Sequence, residues 1–389
     1  RPWRSDMLNV ADSTFSAVFL LFVVAVAMEA KISGVYSVAC LGIASIGLAL
    51  SCCAAVLLAA AGKRLGIMGK RFDFFLCFCQ AEAGAFARWL QLDLADRPQV
   101  KNDICVEADL LESLDNLLMI IAGDVERFVV LGTLGVFARP WCIGELAAAH
   151  RDRLRSDLIA LPGFQLPDAT LGHRLAEDVS ADLCLREVGI HVSLVREALV
   201  ALSAKTPIHV PVEMNVATMS GITAALLGVH DSGVVRPAPA DGAVVILADT
   251  TNAQAGVVAH LVRAMLGSCT ELRIAGLPVV LPVLEEMPAH ADKALVLVTE
   301  GCFLQRAFVQ HILTASDRMM RMIPILSEVD VQVPCRSDLE AWTQDLPKMA
   351  RPAGHIVDVL LELFSDIALV VDAKHATGGV LDTVRDAIA

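Results

Sequence analysis

The residues of this chain best suited to chemistry lie in the stretch Phe128-Val129-Val130-Leu131-Gly132-Thr133-Leu134-Gly135-Val136-Phe137-Ala138-Arg139-Pro140-Trp141-Cys142-Ile143-Gly144-Glu145-Leu146. It reads as a buried strand that runs into a short loop. A helix then opens around Pro140, whose missing N–H needs no partner in a first helical turn. On that helix Trp141 and Glu145 stand at i and i+4, so both project from one face near the C-terminal end of the strand. Open parallel sheets hold their ligands at that edge. A carboxylate there suits stabilising an oxocarbenium-like sugar, or orienting its hydroxyls and an attacking water, as a glycosidic bond opens. A flat indole beside it suits stacking on a ring or walling the pocket.

The elements that must position these residues follow from the alternation of short apolar runs with amphipathic stretches, the pattern of a parallel sheet covered by helices. Strands are predicted at Phe72–Phe78, Asp103–Glu107, Arg127–Gly132 and Asp157–Leu161. Helices are predicted at Ser113–Ala122 and Arg139–Arg153, and Phe86, Trp89, Leu90 and Leu94 mark a further helical face. A Pro- and Gly-bearing linker, Val234 to Gly242, precedes a second ladder. It has strands at Val244–Ala248, Ala294–Thr299, Met322–Leu326 and Ile367–Val371, a helix carrying Val258, Leu261, Val262, Met265 and Leu266 on one face, and a closing helix near Gly379–Ile388.

The two ladders read as copies of one unit. Phe128–Phe137 and Ala294–Phe303 align without a gap and share five of ten residues, Thr133/Thr299 and Gly135/Gly301 among them. At the same offset Arg155 meets Arg321 and Ile159 meets Ile325. The register sets Ala307 against Trp141, Phe308 against Cys142 and His311 against Glu145, so the second copy has lost the carboxylate, and His311 is expected on the helix surface.

Composition narrows the classes. The formal charge of −13 over 389 residues excludes nucleic acid as a partner, because phosphate recognition needs a basic face. The 11 cysteines follow no metal or disulfide spacing, and none of the five asparagines sits in a glycosylation sequon, which together point to a reducing compartment. There is no phosphate loop, His-Glu-x-x-His helix or Gly-x-Ser-x-Gly turn. The hydrophobic content of 56% is concentrated in the first sixty-odd residues. Ser13 to Met28 and Ile32 to Gly62 carry no charge, and Lys63, Arg64, Lys70 and Arg71 follow. This predicts a two-helix transmembrane hairpin with both ends in the cytoplasm.

The Trp141, Cys142, Glu145 and Leu146 pattern, on a helix that follows a strand ending in small residues, resembles the Trp-Cys-x-x-Glu-Leu motif of the TIR (Toll/interleukin receptor/resistance) domain family. The opening strand Phe72-Asp73-Phe74-Phe75-Leu76-Cys77-Phe78 is also similar to the family's first strand, with Cys77 in place of a serine. The resemblance covers roughly residues 70–200. It implies a flavodoxin-like fold and association with other TIR-like domains. In members with enzymatic activity the glutamate of this helix is required to cleave NAD at its nicotinamide bond, and Glu145 is the matching position. The resemblance implies a substrate-binding place for Trp141 and for Cys79 and Gln80, although enzymatic members often carry a basic residue where Cys79-Gln80 stand.

The expected architecture is therefore α/β: two flavodoxin-like, TIR-like open parallel sheets covered by helices, preceded by the hairpin. The expected domains are a hairpin over 1–69 with spans near 13–30 and 38–62, a TIR-like domain over 70–205, a helix-bearing linker over 206–242 and a second TIR-like pseudodomain over 243–389. Two functions fit. One is a multi-pass, membrane-anchored signalling protein, its TIR-like units facing the cytoplasm and forming a homo-oligomer on activation. The other is an NAD hydrolase using Glu145, with NAD as substrate and no cofactor or metal. A third reading makes the hairpin the tail of a larger channel or transporter.

Overall fold

The computed structural model describes residues 70–106, 114–166, 189–229, 244–268, 278–282, 285–327, 333–345, 351–365 and 369–370, with the isolated positions 46, 47, 50 and 53. The hairpin predicted over 1–69 and the closing helix near 379–388 fall almost entirely outside these residues. No helix among the described residues is long and apolar enough to cross a membrane. The longest have 16 residues, about 24 Å of helix against a hydrocarbon layer of roughly 30 Å. The expected fold class and multi-pass membrane location are corrected accordingly: the described residues form two parallel α/β sheets covered by helices, and no membrane-spanning helix is found among them.

The first sheet is built from β1 (Phe72–Cys77), β2 (Asp103–Val106), β3 (Val125–Gly132), β4 (Arg155–Ala160) and β5 (Ile208–His209). Its helices are α1 (Gln80–Ala95), α2 (Leu114–Asp124), α3 (Pro140–Arg151), α4 (Val192–Ser203) and α5 (Val216–Leu227). The strand order is β2-β1-β3-β4-β5, every pairing parallel. All six residues of β1 are buried, as a strand with helices on both faces requires.

The second sheet uses β6 (Val244–Leu247), β7 (Val279–Leu281), β8 (Lys293–Val298), β9 (Arg321–Leu326) and β10 (Leu369–Val370). Its helices are α6 (Ala253–Ser268), α7 (Arg306–Asp317), α8 (Arg336–Asp345) and α9 (Ala353–Leu363). Read from the other edge its order is β7-β6-β8-β9-β10. Both sheets thus follow the order 2-1-3-4-5 of flavodoxin-like folds.

The correspondence extends to local detail. Pro140–Arg151 and Arg306–Asp317 are separated by 166 residues at both ends, as are β4 and β9 and the short 3-10 turns Val136–Ala138 and Cys302–Leu304. At that separation Arg153 (φ 56°) and Met319 (φ 53°) both take left-handed backbone. Each follows a helix closed in the same way, with Leu154 N donating to Ala149 O and Met320 N to Ala315 O, both at 3.0 Å. That closure is one that glycine fills without strain. Arg153→Gly and Met319→Gly are each expected to raise stability by about 0.5–1 kcal/mol in urea unfolding, because a side chain in left-handed backbone costs about 1–2 kcal/mol and glycine's extra entropy loss on folding offsets part of the gain.

Three core layers result. Along β1, Phe74 and Leu76 point into a central core, while Phe75 and Cys77 point into an outer one with α2, α3 and α4. Val245 and Leu247 of β6 point into a third core with α7 and α9. The central layer is common to both sheets: it takes in Val129 and Leu131 of β3, Leu295 and Leu297 of β8, and the buried faces of α1, α5 and α6.

Candidate functional site

β1 and β3 are neighbours at the point where the strand order reverses, so their C-terminal ends flank the crevice in which open α/β sheets bind ligands. Beyond β1, Cys79 is the extended N-cap residue of α1 (φ −79°, ψ 113°). Its carbonyl accepts from the backbone N–H of Glu82 at 3.0 Å and of Ala83 at 2.9 Å. Beyond β3, a Cβ on Gly132 would sit 2.8 Å from the ring of Phe164, so the strand ends on a residue without a side chain. Arg139 is extended and Pro140 takes the first turn of α3, which aims Cys142 and Glu145 back at the end of β1.

Glu145 is 1% exposed, Cys77 1% and Cys142 2%. Their two sulfurs and a carboxylate oxygen all lie within 4.8 Å of one another. Cys77 Sγ donates to the Cys142 carbonyl at 3.6 Å, and Cys142 Sγ donates to the Phe78 carbonyl at 3.4 Å. Contact with the Cys142 thiol, then burial, then the charge of Glu145 hold the Cys77 thiol well above its ordinary pKa. Desolvation and a neighbouring negative charge both disfavour a thiolate.

The residues predicted from sequence therefore separate. Trp141 is half-buried and packs on the outer core. Cys79, buried, and Gln80, half-buried, form the corner between β1 and α1. The group gathered around Glu145 is Cys77 and Cys142. Cys77 was not among the predicted site residues, although the signal was present: strand alternation puts it on the side of Phe75, and Cys142 and Glu145 share a helical face at i and i+3.

Glu82 was also missed. On the first turn of α1, its carboxylate accepts from Gly135 N at 2.8 Å. A Cβ on Gly135 would meet that carboxylate at 2.7 Å. The crevice between the ends of β1 and β3 thus receives an anion from the chain itself.

In the second unit Phe308 and His311 hold the positions of Cys142 and Glu145. His311, expected on the surface, is 8% exposed. Its Nε2 lies 3.0 Å from the Glu285 carbonyl. Burial lowers its pKa, and the contact with Glu285 opposes the shift. The helix turns its 311 position inward, as in the first unit.

The units meet along α1 and α6. The rings of Trp89 and His260 stack with centroids 4.9 Å apart and planes 11° from parallel. Gln254 Nε2 donates to the Ala81 carbonyl at 3.2 Å. Burial holds His260 down at about pKa 4, helped by the charge of Arg263 and opposed by a hydrogen bond with the Met214 backbone. The unfolded chain therefore takes up a proton near pH 6.5 that the folded chain refuses until about pH 4. Stability contributed by neutral His260 is complete above pH 6.5 and lost as pH falls towards 4, by about 3 kcal/mol in all. Urea unfolding at pH 7 and pH 4 is expected to show that extra loss in the wild type and not in His260→Phe.

No family model matches the chain, and no curated protein matches it. Among solved structures it is similar to the TIR domains of the activated Roq1 resistosome that directly recognises the pathogen effector XopQ, with 16% identity and a TM-score of 0.30, over 40% of this chain and 98% of that one.

Proposed function

We propose that this chain is a signalling protein that works by association of TIR-like domains, and that the pairing of its two units is one such association held within a single chain. The observation that carries this reading is the continuous core between α1 and α6, closed by the Trp89–His260 stack. One broad face of α1 is buried, Ala83, Phe86, Trp89, Leu90 and Leu94 included, and these side chains belong to the core layer that both sheets share. The Trp-Cys-x-x-Glu resemblance supplies the family of partners: other TIR-like domains or a second copy. Because covalent linkage supplies a high effective concentration within one chain, weaker association between chains is expected. Sedimentation velocity of the full chain over a hundredfold concentration range is expected to show reversible dimers or larger species. A single monomeric species throughout would remove the reading.

Cleavage of NAD at Glu145 is the second reading, favoured by the match of that residue to the family's required glutamate. Two observations oppose it. Glu145 is 1% exposed, and the crevice edge carries the Glu82 carboxylate on Gly135 N, which repels a pyrophosphate. Nicotinamide release from NAD by the full chain is expected to equal that of Glu145→Ala. Release by the wild type alone would reverse the order of the two readings.

A further inference from the structure

We propose that Cys77, Cys142 and Glu145 form a closed site for one zinc-class divalent cation, which fastens the end of β1 to the first turns of α3. The site is independent of the pairing between units. Its donor set is two sulfurs and a carboxylate oxygen, all within 4.8 Å of one another. Zinc bonds of about 2.3 Å to sulfur and 2.0–2.2 Å to carboxylate place tetrahedral ligand atoms roughly 3.5–3.8 Å apart. Closing the group on an ion thus asks each atom to move by only about half an ångström. The Phe78 carbonyl, 3.4 Å from Cys142 Sγ, stands at about one such edge from that sulfur and is the nearest backbone oxygen known for the fourth position.

The chemistry selects the ion. Two thiolates favour zinc over magnesium or calcium, which take six or more oxygens. All three side chains are at least 98% buried, so the site is of the structural kind, filled as the chain folds rather than by exchange through an open mouth. The cysteines lie 65 residues apart in sequence, which is why no spacing motif announces them. The second unit is an internal control. At the same register it carries Phe308, fully buried, and His311 held on the Glu285 carbonyl, a core packed with no thiol at either position.

Zinc content settles the proposal. The full chain, refolded from guanidinium with excess zinc and freed of loose metal, is expected to hold about one zinc per chain by elemental analysis. Cys77→Ser and Cys142→Ser are expected to lose it, while Cys335→Ser, at an exposed thiol, keeps it. Glu145→Gln, nearly isosteric, is expected to weaken binding more than tenfold if a serine variant fails to fold. Refolding the wild type with cobalt is expected to give a near-ultraviolet thiolate-to-metal band of two-thiolate intensity. A wild type that takes up neither metal, or retention of the metal by folded Cys77→Ser and Cys142→Ser alike, would overturn the site.

Discussion

Replacing Trp89 with alanine is expected to cost about 3–5 kcal/mol, the range for removing a large aromatic side chain from a packed core. The ring is 4% exposed and stacks on His260 of the other unit. Its removal opens a cavity in the one core layer that both sheets share, which neither unit fills without moving away from the other. Urea unfolding of the full chain provides the measurement. In addition to the lower midpoint, the transition is expected to broaden or split, because the two sheets lose part of the packing that joins them. A loss under about 1 kcal/mol would mean that the indole is not held between the units.

Arg127→Ala is expected to follow at about 2–4 kcal/mol. Arg127 enters β3 with a largely buried guanidinium that bonds Asp157 of β4 at 2.8 Å and also donates to the Leu226 carbonyl at the end of α5. It lies over the ring of Phe74, 5.0 Å from the centroid. Removing it leaves a partly buried carboxylate and a buried carbonyl without that donor. Breaking a buried ion pair typically costs about 3–5 kcal/mol, reduced here because the Asp157 side chain is 23% exposed. The double variant Arg127→Met/Asp157→Leu is expected to recover much of the loss, since it removes both polar partners together. If the double variant is no more stable than Arg127→Ala, the stabilisation comes from packing on Phe74 rather than from the pair.

How far the molecule can be read without coordinates depends on the element. The long apolar runs that became β1, β3, β6 and β8 are visible because strands buried on both faces have no polar alternation to dilute the signal. β5, with two residues, carries no such run, and β7, with three, lies in an apolar stretch broken by Pro278 and Pro282, residues that argue against a strand when read locally. They exist because a neighbouring strand offers its edge, a non-local cause. α8 and α9 were also missed. The first has an acidic, strongly polar sequence, Arg336 to Asp345, and it is placed by Leu339 and Trp342 packing on the third core rather than by an apolar stripe of its own.

The candidate site divides along the same line. The chemistry-bearing residue types, the strand-loop-helix order and the match of His311 to Glu145 were legible because they depend on local spacing and on a gapless internal alignment. The exposure of Glu145 was not. A carboxylate at i+4 from a tryptophan points to one side of its helix, but whether that side meets solvent or the end of β1 is decided by how α3 lies on the sheet.

The sequence by itself determined the parallel α/β pattern, the repeat at 166 residues and the loss of the carboxylate from the second copy, because each is written in periodicity or in aligned identities. Only the tertiary structure decided that Cys77 meets Cys142 and Glu145 and that Trp89 serves two units at once. Both are contacts between segments far apart in the chain, fixed by the crossover of β1 and β3 and by the packing of α1 on α6. No local pattern encodes which of several apolar faces will find which partner.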